Sequence, residues 1–256
     1  MSSECLPFSA IPHTTRLFAD FLGAFEKVQG FYLRPPLEHG WVSEEARALA
    51  YDPPRRRAVA AILERQNRAW SASPEALENV ERFRQGAFAI VTGQQVSLFG
   101  GPLFSLYKAL TAIKLAAEFS RAGTECVPVF WLATEDHDLE EVNHATLLGP
   151  DGALRRLATT SRGAENAPVS SVALGDDLPA LVASAVEVLG EGEAAAWLRQ
   201  SYRPGETLGN AFAKLFSQIF RHSGVVLLDA SDPELHGLAA PLYRDALSHA
   251  ADLEQA

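Results

Sequence analysis

Cysteine is scarce in this sequence, whose 256 residues include only Cys5 and Cys126. Two thiols so far apart along the chain support neither a disulfide framework nor a cysteine-based zinc site. The first residues also lack the basic segment and the unbroken apolar segment of a secretion signal. These absences lead us to expect a cytoplasmic protein with no tightly bound metal.

Long apolar runs and long basic runs are missing as well. No apolar stretch approaches the roughly 20 residues that a membrane-spanning helix needs. The chain carries 22 lysines and arginines against 32 aspartates and glutamates, a net charge of −10. Its one basic cluster, Arg55–Arg57, is too short to neutralise a track of phosphates. We therefore expect neither a membrane nor a nucleic acid as a partner.

The sequence does contain enough apolar residues to form a folded core, since 47% of its residues are hydrophobic and 21% are charged. That composition supports one sizeable core or two modest ones. Residues 1–85 are rich in helix-capping patterns and predict a helical lead-in that packs on the core. From 86 to 256, short apolar runs alternate with helical segments, which predicts an α/β core.

Three apolar runs predict buried strands, namely Ala87–Val91, Val127–Ala133 and Val225–Asp229. Amphipathic helices are predicted at 102–119 and at 208–219. The apolar stripe of the first helix is expected to comprise Leu103, Leu106, Leu110, Ile113 and Ala117.

An insertion is predicted at about 146–205, where the turn Gly149–Gly152 favours a small β-hairpin. A capping box beginning at Ser231 is expected to open the last helix. Strands separated by helices indicate a parallel sheet, and such sheets commonly have two halves and bind ligands beyond the carboxyl ends of the strands. Because about three core strands are visible, we expect the first half of such a sheet, with the carboxyl-terminal half absent.

The first candidate motif, from Thr92 through Gly93 and Gln94 to Gln95, follows a predicted strand and leads towards a helix. Backbone amides and the helix dipole can meet an anion at such a place, and glutamine adds neutral donors and acceptors. The pattern is neither G-x-G-x-x-G nor a P-loop. We predict an anion or substrate site here, to which Lys108 either reaches from the helix or remains a surface lysine.

The second candidate motif consists of Glu135, Asp136, His137 and Asp138, directly after the second predicted strand. This position would place the four side chains on the rim where open α/β sheets bind ligands. Carboxylates beside a histidine can fix its tautomer and help it to move a proton. We predict these four residues as catalytic, although a solvated acidic loop would give the same pattern.

Other interpretations stay open at this point. Asp136, His137 and Asp138 with His144 offer oxygen and nitrogen ligands, so a metal-assisted hydrolase is an alternative enzyme. A half-domain with no turnover of its own is a third possibility. His236 is expected to lack a clustered partner, and Trp131 is expected in the core.

Three segments together resemble the bacillithiol-biosynthesis cysteine-adding family. They are VTGQQVSLFGGPLFSLYKALTAIK from Val91, VPVFWLATEDHDLEEVNHA from Val127 and LLDASDPELHGLAAPL from Leu227. Their order and spacing also match, so the resemblance covers nearly the whole chain. Gly100 departs from it, because the family more often has threonine there.

The resemblance implies a Rossmann-like core related to nucleotidylyltransferases, in proteins about twice this length. It also implies a homodimer formed through a coiled coil in the absent portion. The implied reaction is a ligation that joins cysteine to glucosaminyl malate through an amide bond, giving bacillithiol. Because a free carboxylate must be activated first, we expect acyl-adenylate or acyl-phosphate chemistry with ATP and Mg²⁺. Residues 92–95 and 135–138 would line the site.

Overall fold

The computed structural model describes residues 6–36, 38, 40–49, 51–164 and 167–254, so Cys5 lies outside the described residues. The helices are α1 (Arg16–Gly23), α2 (Val42–Ala48), α3 (Pro53–Ala69), α4 (Pro74–Gln85), α5 (Leu103–Arg121), α6 (Leu139–Val142), α7 (Leu178–Leu189), α8 (Glu193–Ser201), α9 (Leu208–Ile219), α10 (Pro233–Ser248) and α11 (Ala250–Leu253). The strands are β1 (Phe88–Gln95), β2 (Cys126–Ala133), β3 (His144–Leu148), β4 (Leu154–Ala158) and β5 (Val226–Asp229).

The chain forms two compact units, Met1–Ala50 and Tyr51–Ala256. In the first unit, Thr15 caps α1 by accepting a hydrogen bond from the backbone N–H of Phe18 at 3.3 Å. The second unit holds every described strand. Helices α3 and α4, which fall inside the predicted lead-in, pack on the sheet and belong to this second unit.

The main sheet has three parallel strands in the order β1-β2-β5, which confirms the predicted parallel α/β architecture. Strand β1 is longer than predicted and runs to Gln95, because it stays in register with β2 as far as Ala133. The segment from Thr92 to Gln95 is therefore the end of a strand, not part of the turn. All three carboxyl ends lie at one edge of the sheet, called the carboxyl edge below.

Helices cover both faces of the sheet. Val127 and Val129 on β2 point towards α3 and α4, while Phe130 and Leu132 point the other way. On that second face the Phe130 ring lies 5.0 Å from the ring of Phe216 on α9. Alternate side chains of one strand thus enter two separate cores, as expected for a strand buried on both faces.

The face that helix α5 presents to the sheet matches the predicted stripe only in part, since Leu106 and Ile113 of that stripe pack partly buried against the core. Its buried residues are Ser105, Ala109, Ala112, Ala116 and Phe119. Leu103 and Leu110, from the expected apolar stripe, are 59% and 48% exposed. The helix packs on β1 and β2 through small side chains, which allow a close approach of helix and sheet.

The predicted hairpin is confirmed, since β3 and β4 pair as a separate antiparallel sheet. Its turn places Gly152 at a φ of 76°, a conformation that glycine adopts without strain. The last long helix begins differently from the prediction, because Asp232 rather than Ser231 is its N-cap. None of the described helices is both long and apolar enough to cross a bilayer.

Candidate functional site

The end of β1 is held by side chains that follow it. Lys108 on α5 reaches back along the strand, and its Nζ donates to the carbonyl oxygen of Gly93 at 3.2 Å and to Oε1 of Gln94 at 2.7 Å. The Gln94 amide in turn donates to Oε1 of Gln95 at 3.1 Å. Lys108 therefore reaches the first motif, although its side chain is exposed.

The two motifs meet at Gln95, which lies at the carboxyl edge. Its Nε2 donates to Oδ2 of Asp136 at 3.0 Å and to Oε2 of Glu141 at 3.2 Å. Asp136 and Glu141 are 41 and 46 residues away from Gln95 in the chain, and the parallel pairing of β1 and β2 brings them together. The first and second motifs thus form one polar surface.

Asp136 is the residue of this surface whose ionisation is most clearly changed. The hydrogen bond from Gln95, followed by the bond from the backbone N–H of Asp138, holds the pKa of Asp136 below its usual range. These bonds stabilise the charged carboxylate more than partial burial of the side chain opposes it. Asp136 is therefore a fixed anion at neutral pH.

The other residues of the second motif take different positions. Asp138 caps α6, since its Oδ1 accepts from the backbone N–H of Glu141 at 3.2 Å. The His137 side chain is 71% exposed, and its Nδ1 lies 3.9 Å from Oδ1 of Asp136, beyond hydrogen-bond distance.

Glu135 pairs with a histidine that sequence reasoning left without a partner. Nε2 of His236 lies 2.7 Å from Oε1 of Glu135, and both side chains are about half exposed. The prediction that His236 has no clustered partner was wrong, because 101 residues separate two groups that the sheet brings together. The available signal was that His236 follows β5, whose carboxyl end lies at the same edge.

Thr92 and Gly93 are the two residues of β1 that precede Gln94. Thr92 and Lys108 border a groove of about 280 Å³ between β1 and α5. Gly93 lies against Trp131, and a Cβ on Gly93 would stand 2.9 Å from the Cβ of Trp131. Trp131 is 39% exposed, which corrects its predicted place in the core.

A cavity of about 360 Å³ opens where the two motifs meet. It is lined by Gln94, Gln95, Ser97, Gly101, Pro102, Glu141, His144, Ala145 and Thr146. One wall comes from the end of β1 and the turn before α5, and the other from α6 and β3. His144, not His137, is the histidine of this cavity.

The turn that forms one wall has an unusual backbone. Phe99, Gly100 and Gly101 have φ values of 53°, 92° and 70° in succession. Phe99 is the strained member, because its side chain disfavours a positive φ. Its ring packs edge-on against the buried Tyr202 ring at 4.9 Å, which helps to hold the turn.

The described residues offer neither a metal-binding cluster nor a reactive thiol. Within the described part of the chain, no group of three or more histidine, cysteine, aspartate or glutamate side chains is arranged to hold a metal ion. The alternative of a metal-assisted hydrolase gains no support from this arrangement. Burial raises the pKa of the Cys126 thiol, which makes it a poor nucleophile.

Comparison with known proteins identifies relatives along the whole chain. A family model described as "Bacillithiol biosynthesis BshC, N-terminal Rossmann-like domain" matches residues 1–256. A protein of Koribacter versatilis named "Putative cysteine ligase BshC" is 45% identical over 100% of this chain and 48% of its own length. A protein of the same name from Solibacter usitatus is 39% identical, over 99% of this chain and 47% of its own length. The chain thus spans about half the length of these curated relatives.

Proposed function

The chain belongs to the BshC family of bacillithiol biosynthesis, as its amino-terminal Rossmann-like domain, and on that premise we propose that it supplies the substrate-binding edge of a cysteine ligase. The proposed reaction joins cysteine to glucosaminyl malate through a carbon–nitrogen amide bond and yields bacillithiol. The proposed setting is the cytoplasm. The name carried by the relatives supports the reaction class, and the polar carboxyl edge supports the location of the site.

The observation that carries this proposal is the bridge made by Gln95. One amide group holds Asp136 and Glu141 together at the mouth of the cavity, at 3.0 and 3.2 Å. Ligands of open α/β sheets bind beyond the carboxyl ends of the strands. A ligand entering there would meet two amides, the Glu141 carboxylate and the His144 imidazole in one small volume.

The predicted site residues receive distinct roles in the proposal. Asp136 binds substrate as a fixed anion, and Glu135 acts together with His236. The exposed His137 contacts substrate from the solvent side of the edge. Asp138 is a positioning residue, because its carboxylate is engaged by the start of α6.

Residues of the first motif would bind and orient. Gln94 and Gln95 offer amide groups to the cavity. Lys108 carries a positive charge to the end of β1 and favours an anionic group there. Thr92 and Gly93 act through the backbone of the strand, since Gly93 leaves room for Trp131.

ATP with Mg²⁺ fits the donor groups of this edge as a substrate. Mg²⁺ prefers oxygen ligands and commonly uses one or two carboxylates in addition to phosphate oxygens. Glu135 and Asp136 supply carboxylates directly after β2, and Lys108 supplies a cation for phosphate oxygens. The nucleotide would supply activation of the carboxyl group that becomes the amide.

The proposal extends to the complete family polypeptide. A homodimer formed through a coiled coil and a likeness to nucleotidylyltransferases are part of it. For this chain, which spans about half the length of its relatives, we propose substrate binding as the property to test first.

Isothermal titration calorimetry on the 256-residue chain tests the proposal with cysteine, glucosaminyl malate and ATP with Mg²⁺, each offered separately. We expect cysteine or glucosaminyl malate to bind, and both Gln95→Ala and Asp136→Asn to weaken that binding. Gln85→Ala is the control, because Gln85 is an exposed residue of α4. If neither small molecule binds the wild-type chain, the proposal is wrong. Mass spectrometry of the combined mixture decides whether the chain also forms bacillithiol by itself.

A further inference from the structure

We propose that the cavity between the two motifs is a subsite for the primary amine of a substrate, and that Nε2 of His144 is the hydrogen-bond acceptor for that amine. This inference rests on the proposed function, because both proposed substrates carry a primary amine. It adds the chemical group that the cavity recognises and the atom that recognises it.

The tautomer of His144 follows from its hydrogen bond to the backbone. Its Nδ1 lies 3.2 Å from the carbonyl oxygen of Glu140, four residues earlier in α6, and 3.3 Å from Oδ1 of Asn143. A carbonyl oxygen can only accept, so Nδ1 carries the proton of a neutral ring. Nε2 is then left with a lone pair.

That lone pair is available to a ligand. His144 lines the cavity, and its side chain is partly exposed. Among the described residues, no hydrogen-bond partner is found for Nε2. The backbone fixes one nitrogen while the other remains unpaired, which is how a histidine is held ready to accept a proton or a hydrogen bond.

The charges around His144 favour a cation over an anion. Glu141 brings a carboxylate into the cavity, and Asp136 is joined to it through Gln95. Glu140 directly precedes Glu141 on α6. Arg156 on β4 pairs with Thr146, two residues further along β3. Of the described residues that line the cavity, none is a lysine or an arginine; Lys108 lies behind this wall, with its Nζ bound to Oε1 of Gln94 at 2.7 Å.

The volume limits what can enter. About 360 Å³ lies at the lower end of the range for small-molecule sites, which is roughly 300–1,000 Å³. A space of this size suits a free amino acid or the amine-bearing end of an amino sugar. An ammonium group placed against Nε2 would also lie near the Glu141 carboxylate that lines the same cavity.

The test compares each substrate with an analogue that lacks only the amine. Cysteine is matched with 3-mercaptopropionate, and glucosaminyl malate with 2-deoxyglucosyl malate, so that hydrogen replaces the amine in each analogue. His144→Asn removes Nε2 but keeps an N–H that can donate to the carbonyl of Glu140. His249→Asn is the matched control, because Nδ1 of His249 contacts the carbonyl of Asp245 at 2.9 Å in the same one-turn geometry, on a different helix.

Calorimetry on the 256-residue chain should show that His144→Asn weakens binding of one amine-bearing substrate by about ten- to a hundredfold, the usual effect of losing a hydrogen bond to a charged group. Binding of the matching analogue should not change, and His249→Asn should bind both ligands like wild type. Equal binding by wild type and His144→Asn overturns the subsite, and so does an equal loss of both ligands in the variant.

Nitrogen-detected NMR of the wild-type chain checks the premise without any substitution. The Nδ1–H tautomer of His144 is expected, and the Nε2–H tautomer would overturn the inference. Failure of the inference is distinguishable from failure of the proposed function. If wild type binds neither cysteine nor glucosaminyl malate, the proposed function itself is wrong. If wild type binds one of them and His144→Asn binds it equally well, only the proposed subsite is wrong.

Discussion

The two outermost strands of the parallel sheet, β1 and β5, differ in how their outward backbone groups are hydrogen-bonded. Along β5, side-chain amides of α3 replace a neighbouring strand. Asn67 accepts from the backbone N–H of Leu227 at 3.0 Å and donates to its carbonyl oxygen at 2.7 Å. Gln66 repeats this at Asp229, accepting from its N–H at 3.0 Å and donating to its oxygen at 3.2 Å. The outward backbone groups of β5 are therefore satisfied.

The β1 edge is not closed by paired amides in this way, although Lys108 donates to the carbonyl oxygen of Gly93. In the described part of the chain, β1 pairs only with β2. Val91 on this strand is 56% exposed. On the adjacent helix α5, Tyr107 is also 56% exposed and Phe104 is 72% exposed. An exposed strand edge is normally covered, charged or twisted away in proteins. The difference shows that one edge is built to end the sheet, whereas the motif carrying Gln94 and Gln95 lies on the open one.

The largest expected effect comes from opening the closed edge. Asn67→Ala should lower the free energy of unfolding by about 3 kcal/mol, because it leaves buried backbone groups of Leu227 without partners. Asn67 is fully buried, so water cannot easily replace its amide. Urea denaturation measures the change. Gln85→Ala, which removes an exposed amide on α4, should change it by less than about 0.5 kcal/mol; equal losses in both variants would contradict the comparison.

Local sequence patterns predicted the strands well but not the closure of the edge. The apolar runs at 127–133 and 225–229 correspond to β2 and β5 within a residue at their starts. Their signal is local, since a short apolar run between turn residues favours a buried strand. The partnership of Asn67 with Leu227 joins residues 160 apart, and nothing in the neighbourhood of either residue encodes it.

The pattern of apolar residues predicted the buried face of α5 only in part. The spacing of the large residues suggested a buried stripe, yet the sheet accepts Ala109, Ala112 and Ala116 instead. A large apolar side chain is not necessarily the one that fits closely against a sheet, because small side chains allow the helix to come nearer. Leu103, Phe104 and Leu110 remain exposed on α5.

The candidate site was predictable where it depends on strand ends. Parallel strands bring their carboxyl ends together, and this rule predicts that residues 92–95 and 135–138 share one rim, as the contact between Gln95 and Asp136 illustrates. The roles of individual side chains did not follow from it. His144 lines the cavity and His236 pairs with Glu135 because of how α6, β3 and α10 leave the sheet, which depends on packing far from either residue.

A smaller effect is expected on the β1 side, from Gly93→Ala. The added Cβ would stand 2.7 Å from the carbonyl oxygen of Trp131 and 2.9 Å from its Cβ, so β1 must shift relative to β2. We expect a loss of about 1–3 kcal/mol in the free energy of unfolding, as for other overpacked positions. Thermal and urea denaturation measure it.

Gly237→Ala is the matched control for this prediction. Nothing lies within 4 Å of an added Cβ on Gly237, which is inside α10. Alanine should stabilise the helix there by up to about 1 kcal/mol, through its higher helix propensity. The two glycine substitutions should therefore change stability in opposite directions. A stabilising Gly93→Ala would show that β1 moves freely, and that the open edge is not fixed by its contact with β2.

The smallest expected effect concerns the carboxyl end of β1, where Gln95 fixes the charge of Asp136. Replacing Gln95 by alanine removes the main cause of the lowered pKa of Asp136, so that pKa should rise towards the ordinary value of about 4. NMR titration of the carboxylates measures it. Asp151, whose pKa is lowered chiefly by Arg155, should titrate unchanged and serves as the internal control.

The same substitution has a consequence for stability with a defined sign. A carboxylate whose pKa is lowered by folding stabilises the native state at pH values above its unfolded pKa, and the stabilisation is lost as the pH falls through the folded value. The charge-dependent part of the difference between wild type and Gln95→Ala should thus be complete at pH 7 and decline below about pH 4. Urea denaturation at pH 7, 5 and 3 follows it. A difference that grows on acidification would mean that Gln95 stabilises the protonated carboxyl, and that the β1 end does not hold Asp136 as an anion.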